Sequence, residues 1–207
     1  MSLKISTVEQ GTPEWFDIRK GMPTASMFST VMSKGRGKEP SKTRAKYLRQ
    51  LAGEILTGEP MESYSNPYME RGKLMEQEAI DTYAFEHAVE PELVGFMYHE
   101  DLRVGCSPDR LVGEDGLVEC KTKTPHLQIE LLEIGKVPSE HMKQIQGQLW
   151  VSGREWCDFI SYWPRLPLFT DRVYRDESMI KDIQSAVEQF NSELDDIVEY
   201  IRNYRSK

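Results

Sequence analysis

The chain has 207 residues, with 26 Lys and Arg against 34 Asp and Glu and a formal net charge of −8. At roughly 150 residues per domain it is one sizeable domain. Its 39% apolar and 29% charged content excludes collagen-like, low-complexity and wholly disordered classes. No apolar run reaches the roughly 20 residues that span a bilayer, and Met1-Ser2-Leu3-Lys4 leads into no hydrophobic targeting segment.

Helical signals come first. Thr12 is placed to cap a helix over Pro13 to Lys20, with Pro at its first position, and Gly21 and Pro23 end it. Thr24-Ala25-Ser26 starts the next, with Phe28 and Val31 on its apolar side. Gly35 to Ser41 reads as a loop. Thr43 to Leu56 reads as a helix with Tyr47, Leu48, Leu51 and Ile55 on one face, closed by Gly58 and Pro60. A further helix runs from about Pro67 or Met69 to Glu86, burying Leu74, Ala79, Ile80 and Tyr83.

The period then changes. Leu93–His99, Val104–Ser107, Arg110–Val112 and Leu117–Thr122 are short strand-like runs, and Glu114-Asp115-Gly116 marks a hairpin turn. Pro138-Ser139-Glu140 opens a helix through Trp150; Cys157–Trp163 and Val173-Tyr174 read as strands. From Ile180 through Ile183, Val187, Phe190, Leu194 and Ile197 to Ile201, three- and four-residue steps give an amphipathic helix over about 177–204. With no repeat or linker, the reading is one α/β domain over 1–207, a small antiparallel or mixed sheet flanked by helices.

Cys106, Cys120 and Cys157 are scattered, with no Cys-x-x-Cys pair, which argues against a disulfide framework, a zinc site or a four-cysteine iron–sulfur cluster. The expected compartment is a reducing cytoplasm. Charge is uneven. From Lys34 to Arg49 seven cations face the single anion Glu39, which fits either a solvated segment or a phosphate-contacting face on an otherwise acidic protein.

The chemistry concentrates in Ser107-Pro108-Asp109 to Glu119-Cys120-Lys121. A hairpin brings Asp109 and Glu119 together from adjacent strands. Glu119 and Lys121, two apart, leave the same face about 6.5–7 Å from each other, while Cys120 points into the core. Two carboxylates and the Cys120 carbonyl make a hard oxygen site suited to Mg²⁺ or Mn²⁺. Lys121 beside it supplies positive charge for an attacking water and for a phosphorane, as metal-assisted phosphodiester hydrolysis requires. An acid-x-Lys tripeptide alone is expected about once or twice by chance in such a chain, and a surface hairpin with an ion pair is the plain alternative. Glu76 on the preceding helix is a candidate third carboxylate. Gln144 and Gln148 share a face of the later helix, with His141 one turn before.

Taken together, these blocks resemble the phage lambda exonuclease family, the YqaJ-like viral recombinases, within the Pro-Asp…(Asp/Glu)-x-Lys nuclease superfamily. The resemblance covers roughly Trp15 to Trp163. It is carried by Trp15-x3-Arg19, Gly21 and Thr24-Ala25-Ser26; by Gly72-Lys73-x2-Glu76-x2-Ala79; by Cys106-Ser107-Pro108-Asp109 with Glu119-x-Lys121; and by Met142-x-Gln144-x-Gln146-x3-Trp150-Val151.

The resemblance implies a nuclease fold with a central mixed sheet. It implies that Asp109, Glu119, the Cys120 carbonyl and Glu76 hold two Mg²⁺ ions, for which Mn²⁺ substitutes, with Lys121 as the catalytic lysine. Arg19, Ser26, Ser107 and Gln144 are implied as a pocket for a terminal 5′-phosphate, where a planar guanidinium takes two oxygens. Arg36 is implied as a DNA contact near the split strands and Met69 as an apolar wedge. The implied activity is 5′→3′ digestion of one strand of linear double-stranded DNA by a trimeric ring. It leaves a 3′ overhang for a single-strand-annealing recombinase, with no membrane role. The alternatives are an endonuclease of the same superfamily and a non-catalytic DNA-end-binding adaptor.

Overall fold

The computed structural model describes residues 2–35, 41–61 and 67–204, without the side chains of 67–71, 73 and 74. The first strand, β1 (Lys4–Ser6), pairs antiparallel with β2 (Phe96–His99), which pairs antiparallel with β3 (Val104–Cys106). A second ladder has the order β4 (Arg110–Val112), β5 (Gly116–Thr122), β6 (Trp156–Tyr162), β7 (Phe169–Tyr174). Its central pair β5–β6 is parallel and its outer pairs are antiparallel, so this sheet is mixed as expected.

Seven helices are described. In α1 (Pro13–Arg19), the Thr12 hydroxyl accepts from the Trp15 amide and Pro13 occupies a position whose missing N–H costs nothing. A 3₁₀ turn over Ala25–Met27 leads into the short α2 (Phe28–Val31). For α3 (Lys42–Thr57), Ser41 caps the start and Gly58, at φ 75°, provides the left-handed residue that ends it. Next comes α4 (Pro67–His87), covering the span read for it.

Two helices, α5 (Pro125–Ile134) and α6 (Ser139–Ser152), lie in the crossover between β5 and β6. The last, α7 (Glu177–Arg202), starts at Asp176, whose carboxylate accepts from the amides of Ser178 and Met179.

Strand alternation sorts the core into two layers. Leu117, Cys157 and Phe159 face one cluster, completed by Phe28, Tyr47, Leu51, Ile145, Leu149 and the inner side of α7. Val118, Cys120, Ile160 and Tyr162 face the other, under Met75, Ala79, Ile80 and Tyr83 of α4. The sheet is therefore sandwiched, with α4 on one face and α6 and its neighbours on the other. Close approach on the α6 side depends on Gly147, where an added Cβ would fall 2.3 Å from Phe28 Cδ2. On the α4 side, Asp158 is 1% exposed; it accepts from Tyr83 Oη at 2.6 Å and from Arg172 Nε at 2.7 Å.

Several expectations shift at element ends. The strand read as Leu93–His99 begins only at Phe96; Leu93 is 78% exposed, and Glu92 bridges Leu111 instead. The run at Val173-Tyr174 is the end of a strand that starts at Phe169. The apolar stripe of α7 stays buried through Val198, but Ile201 is 47% exposed. At 1.5 Å per residue, α7 outruns its partner α3 by roughly 15 Å. The expected burial of Leu74 concerns a side chain outside the described residues. No described helix is long and apolar enough to cross a membrane.

Candidate active site

The β4–β5 register sets Arg110 opposite Val118. Just before β4, the Asp109 amide donates to the Val118 carbonyl at 3.1 Å, which brings its carboxyl close enough to feel the Glu119 charge. The Asp109 carboxylate is fixed by the Cys120 amide, which donates to Oδ2 at 2.6 Å. The Cys120 side chain turns into the α4 layer, as alternation requires. Glu119 and Lys121 share the opposite face, and their ion pair measures 2.5 Å.

Glu119 is 1% exposed. A carboxylate so buried needs its lone pairs filled, and α6 fills them. Gln144 Nε2 donates to Glu119 Oε1 and Gln148 Nε2 to Oε2, both at 2.6 Å. The two glutamines are one helical turn apart, so one face of α6 grips both oxygens.

Glu76 arrives from α4 through Arg110. This arginine, 6% exposed, donates to Glu76 Oε1 at 3.3 Å, to the Asp109 carbonyl at 2.6 Å and to Gln77 Oε1 at 3.0 Å. Burial, then the Glu119 and Glu76 carboxylates, push the Asp109 carboxyl well above its usual range. Burial also raises Glu76, against the pull of Arg110. For Lys121, burial works to lower the ammonium's pKa, but Glu119 and Asp109 outweigh it and hold it above its ordinary value. Three carboxylates thus crowd one ammonium and one guanidinium.

Such a donor set fits a hard divalent cation. Among the described residues no three His, Cys, Asp or Glu side chains form a ligand cage by themselves. Magnesium does not require one: it is held by one or two carboxylates and keeps several waters.

The expected phosphate residues fall into three places. Arg19 stacks 3.6 Å from the Trp15 ring centroid and donates to Thr24 Oγ1 at 3.4 Å; Thr24 Oγ1 in turn lies 3.3 Å from Ser26 Oγ. Ser107 accepts from Trp15 Nε1 at 3.1 Å, so Trp15 links it to Arg19. Gln144 stands apart from both, on Glu119. Arg19 Nε is buried without a hydrogen-bond partner, and burial lowers the guanidinium to about 10, still a cation at neutral pH. Arg36 and the side chain of Met69 lie outside the described residues.

Sequence reasoning missed Arg110 and the grip of Gln148. A charged residue inside the apolar run Arg110–Val112 was the available signal for the first. For the second, the shared face of Gln144 and Gln148 was visible, but not what it faced.

Residues 14–155 match the model of the YqaJ-like viral recombinase domain. The chain is similar to LHK-Exo, an alkaline exonuclease from Laribacter hongkongensis, at 36% identity and a TM-score of 0.82 over 92% of this chain and 96% of that one. Against LHK-Exo in complex with dAMP the identity is 37% and the TM-score 0.84, with the same coverage. A phage-related exonuclease from Haemophilus somnus 129PT, 15% identical, has a TM-score of 0.65 over 87% of this chain and 96% of that one, a likeness of fold alone. No curated protein sequence matches the chain.

Proposed function

Because the chain belongs to the YqaJ-like viral recombinase domain family, we propose that it is a nuclease. In its specific form the proposal is a magnesium-dependent 5′→3′ exonuclease that digests one strand of linear double-stranded DNA to 5′-mononucleotides. The observation that carries it is the Asp109 and Glu119 carboxyls gathered beside the Lys121 ammonium, joined through Pro108 to the Ser107–Trp15–Arg19 group. LHK-Exo is an alkaline exonuclease with a structure in complex with dAMP, a nucleoside monophosphate of the class this reaction would release.

Asp109, Glu119, the Cys120 carbonyl and Glu76 would hold the magnesium, two ions in the full site. Bound there, it supplies a Lewis acid for the phosphoryl group and acidifies water at neutral pH. The chain's own residues do the rest. Lys121 places a positive charge where the phosphoryl oxygens gain negative charge. Gln144 and Gln148 keep Glu119 in one rotamer, so no reorganisation is needed during reaction. Arg19, with Thr24 and Ser26, offers a guanidinium and hydroxyls to a terminal 5′-phosphate. A clamp on the chain end makes cleavage start at that end. The 3′ overhang left behind is the substrate of a single-strand-annealing recombinase, and a trimeric ring around the duplex is the assembly we expect.

The test is incubation of linear and covalently closed circular duplex, with and without 5′-phosphate, in Mg²⁺, Mn²⁺ or chelator. Mononucleotides from linear phosphorylated duplex alone, and only with metal, are expected. Cutting of closed circles would replace the reading with an endonuclease, and no nucleotide release in either metal would leave an end-binding adaptor.

A further inference from the structure

The face of β5 that carries Glu119 and Lys121 continues past the strand end to Lys123. Opposite it, the face of α6 that presents Gln148 and Gln144 continues one turn further to His141 and its neighbour Glu140. Lys123 Nζ lies 3.7 Å, and His141 Nε2 3.3 Å, from the same oxygen, Glu140 Oε1. The Lys123 and His141 side chains are each only 16% exposed, whereas the Glu140 side chain is 68% exposed. Two sheltered nitrogens thus converge on one oxygen of a carboxylate that is mostly in water.

We infer that Lys123 and His141 form a subsite for a DNA backbone phosphate next to the reacting one, with Glu140 covering it until DNA arrives. The inference rests on the nuclease reading and names a further contact of that same site.

Three observations carry it. The first is spacing. Lys123, one residue past the end of β5, lies two residues beyond Lys121, and extended backbone there separates them by about 6.6–6.8 Å, comparable to the step between consecutive phosphates on a nucleic-acid chain. The second is His141. Its Nε2 is buried and, despite its nearness to Glu140, has no hydrogen-bond partner. Stacking on Phe159, with ring centroids 5.1 Å apart, fixes the ring. Burial, then Lys121 and Lys123, hold its pKa below the ordinary value.

The third is the balance of charge. Lys121 is already paired with Glu119, so Lys123 and the edge of His141 are left with the Glu140 carboxylate. Glu140, in the first turn of α6 and largely solvated, is a weak partner for them. A phosphate brings more charge and more acceptor oxygens to the same place and displaces it.

The experiment measures binding of 5′-phosphorylated duplex by anisotropy over a range of salt. Calcium replaces magnesium, and gels verify that the duplex stays intact. Lys123→Gln should weaken binding and flatten the log–log salt slope by about 0.9, one phosphate contact. Glu140→Gln should tighten binding, and Lys123→Gln added to it should remove that gain. Melting curves establish that each variant is folded; if Lys123→Gln is not, the Glu140→Gln result alone decides. A Lys123→Gln slope equal to wild type, or no tightening in Glu140→Gln, overturns the subsite. If those results come from a wild type that binds and degrades duplex, the nuclease reading stands without it; a wild type that neither binds nor degrades duplex overturns both.

Discussion

Gln148 Nε2 donates to Glu119 Oε2 at 2.6 Å, with each residue 1% exposed. No water reaches this pair to substitute for a lost donor. Gln148→Leu therefore leaves a buried carboxylate oxygen bare. The expected cost is about 1–3 kcal/mol of folding stability, read from urea unfolding. Because the variant also frees Glu119 to rotate, manganese affinity should fall by about 10–100-fold in a paramagnetic titration. A folded Gln148→Leu chain with wild-type manganese affinity would mean that Gln144 and Lys121 suffice to orient Glu119.

Lys121 has its ammonium on Glu119 and next to Asp109. On the proposed function its charge is needed when phosphoryl oxygens gain negative charge and much less while DNA is merely bound. Lys121→Ala should therefore abolish nucleotide release and leave binding of duplex ends within a few-fold of wild type. The two measurements are a release assay in magnesium and an end-binding titration in calcium. Residual release above one part in about a thousand would assign the charge stabilisation elsewhere.

Arg19 is held flat against Trp15, with Nε lacking a partner. Arg19→Gln keeps a polar side chain but removes the fork and the charge. The variant should degrade phosphorylated and unphosphorylated linear duplex at the same rate, whereas wild type prefers the phosphorylated end. Arg19→Lys should restore only part of the preference, since an ammonium cannot bind two oxygens in a plane. A preference unchanged in Arg19→Gln would remove it from the phosphate pocket.

Arg44 of α3 grips Glu193 of α7 through both terminal nitrogens. That hydrogen bonding holds the Glu193 carboxyl below the ordinary glutamate value of 4.5. A pKa lower in the folded state than in the unfolded chain means stability that is complete above 4.5 and disappears as pH falls through the folded value. With Glu193 about one-third exposed, the contribution at neutral pH is below about 1 kcal/mol. Denaturation of wild type and Glu193→Gln should show a small gap at pH 7 that closes as pH falls below 4.5. A gap that widens on acidification would have the wrong sign.

Much of this was legible in the chain because local rules dominated locally. Thr12-Pro13 announced α1 through cap chemistry, and the Glu114-Asp115-Gly116 turn signal pointed to the hairpin that brings Asp109 near Glu119. The misses have physical causes. Helix α5 carries apolar residues on most sides, and only Gln128 and Leu131 are buried, so it shows no stripe, although Thr124-Pro125 and Gly135 marked its ends. Strand β1 is three residues long and takes its identity from β2, 90 or more residues away. Arg110 and Gln148 reveal their roles only through partners on other elements, which no periodicity encodes.

The β4–β5 hairpin closes within a dozen residues, but the amides that hold Glu119 sit on α6, beyond a whole intervening helix. A chain still leaving the ribosome therefore possesses its acids well before it possesses their orientation. Until α6 docks, Glu119 has neither glutamine donor. On the proposed function, competence therefore requires the docked α6 and not the hairpin alone.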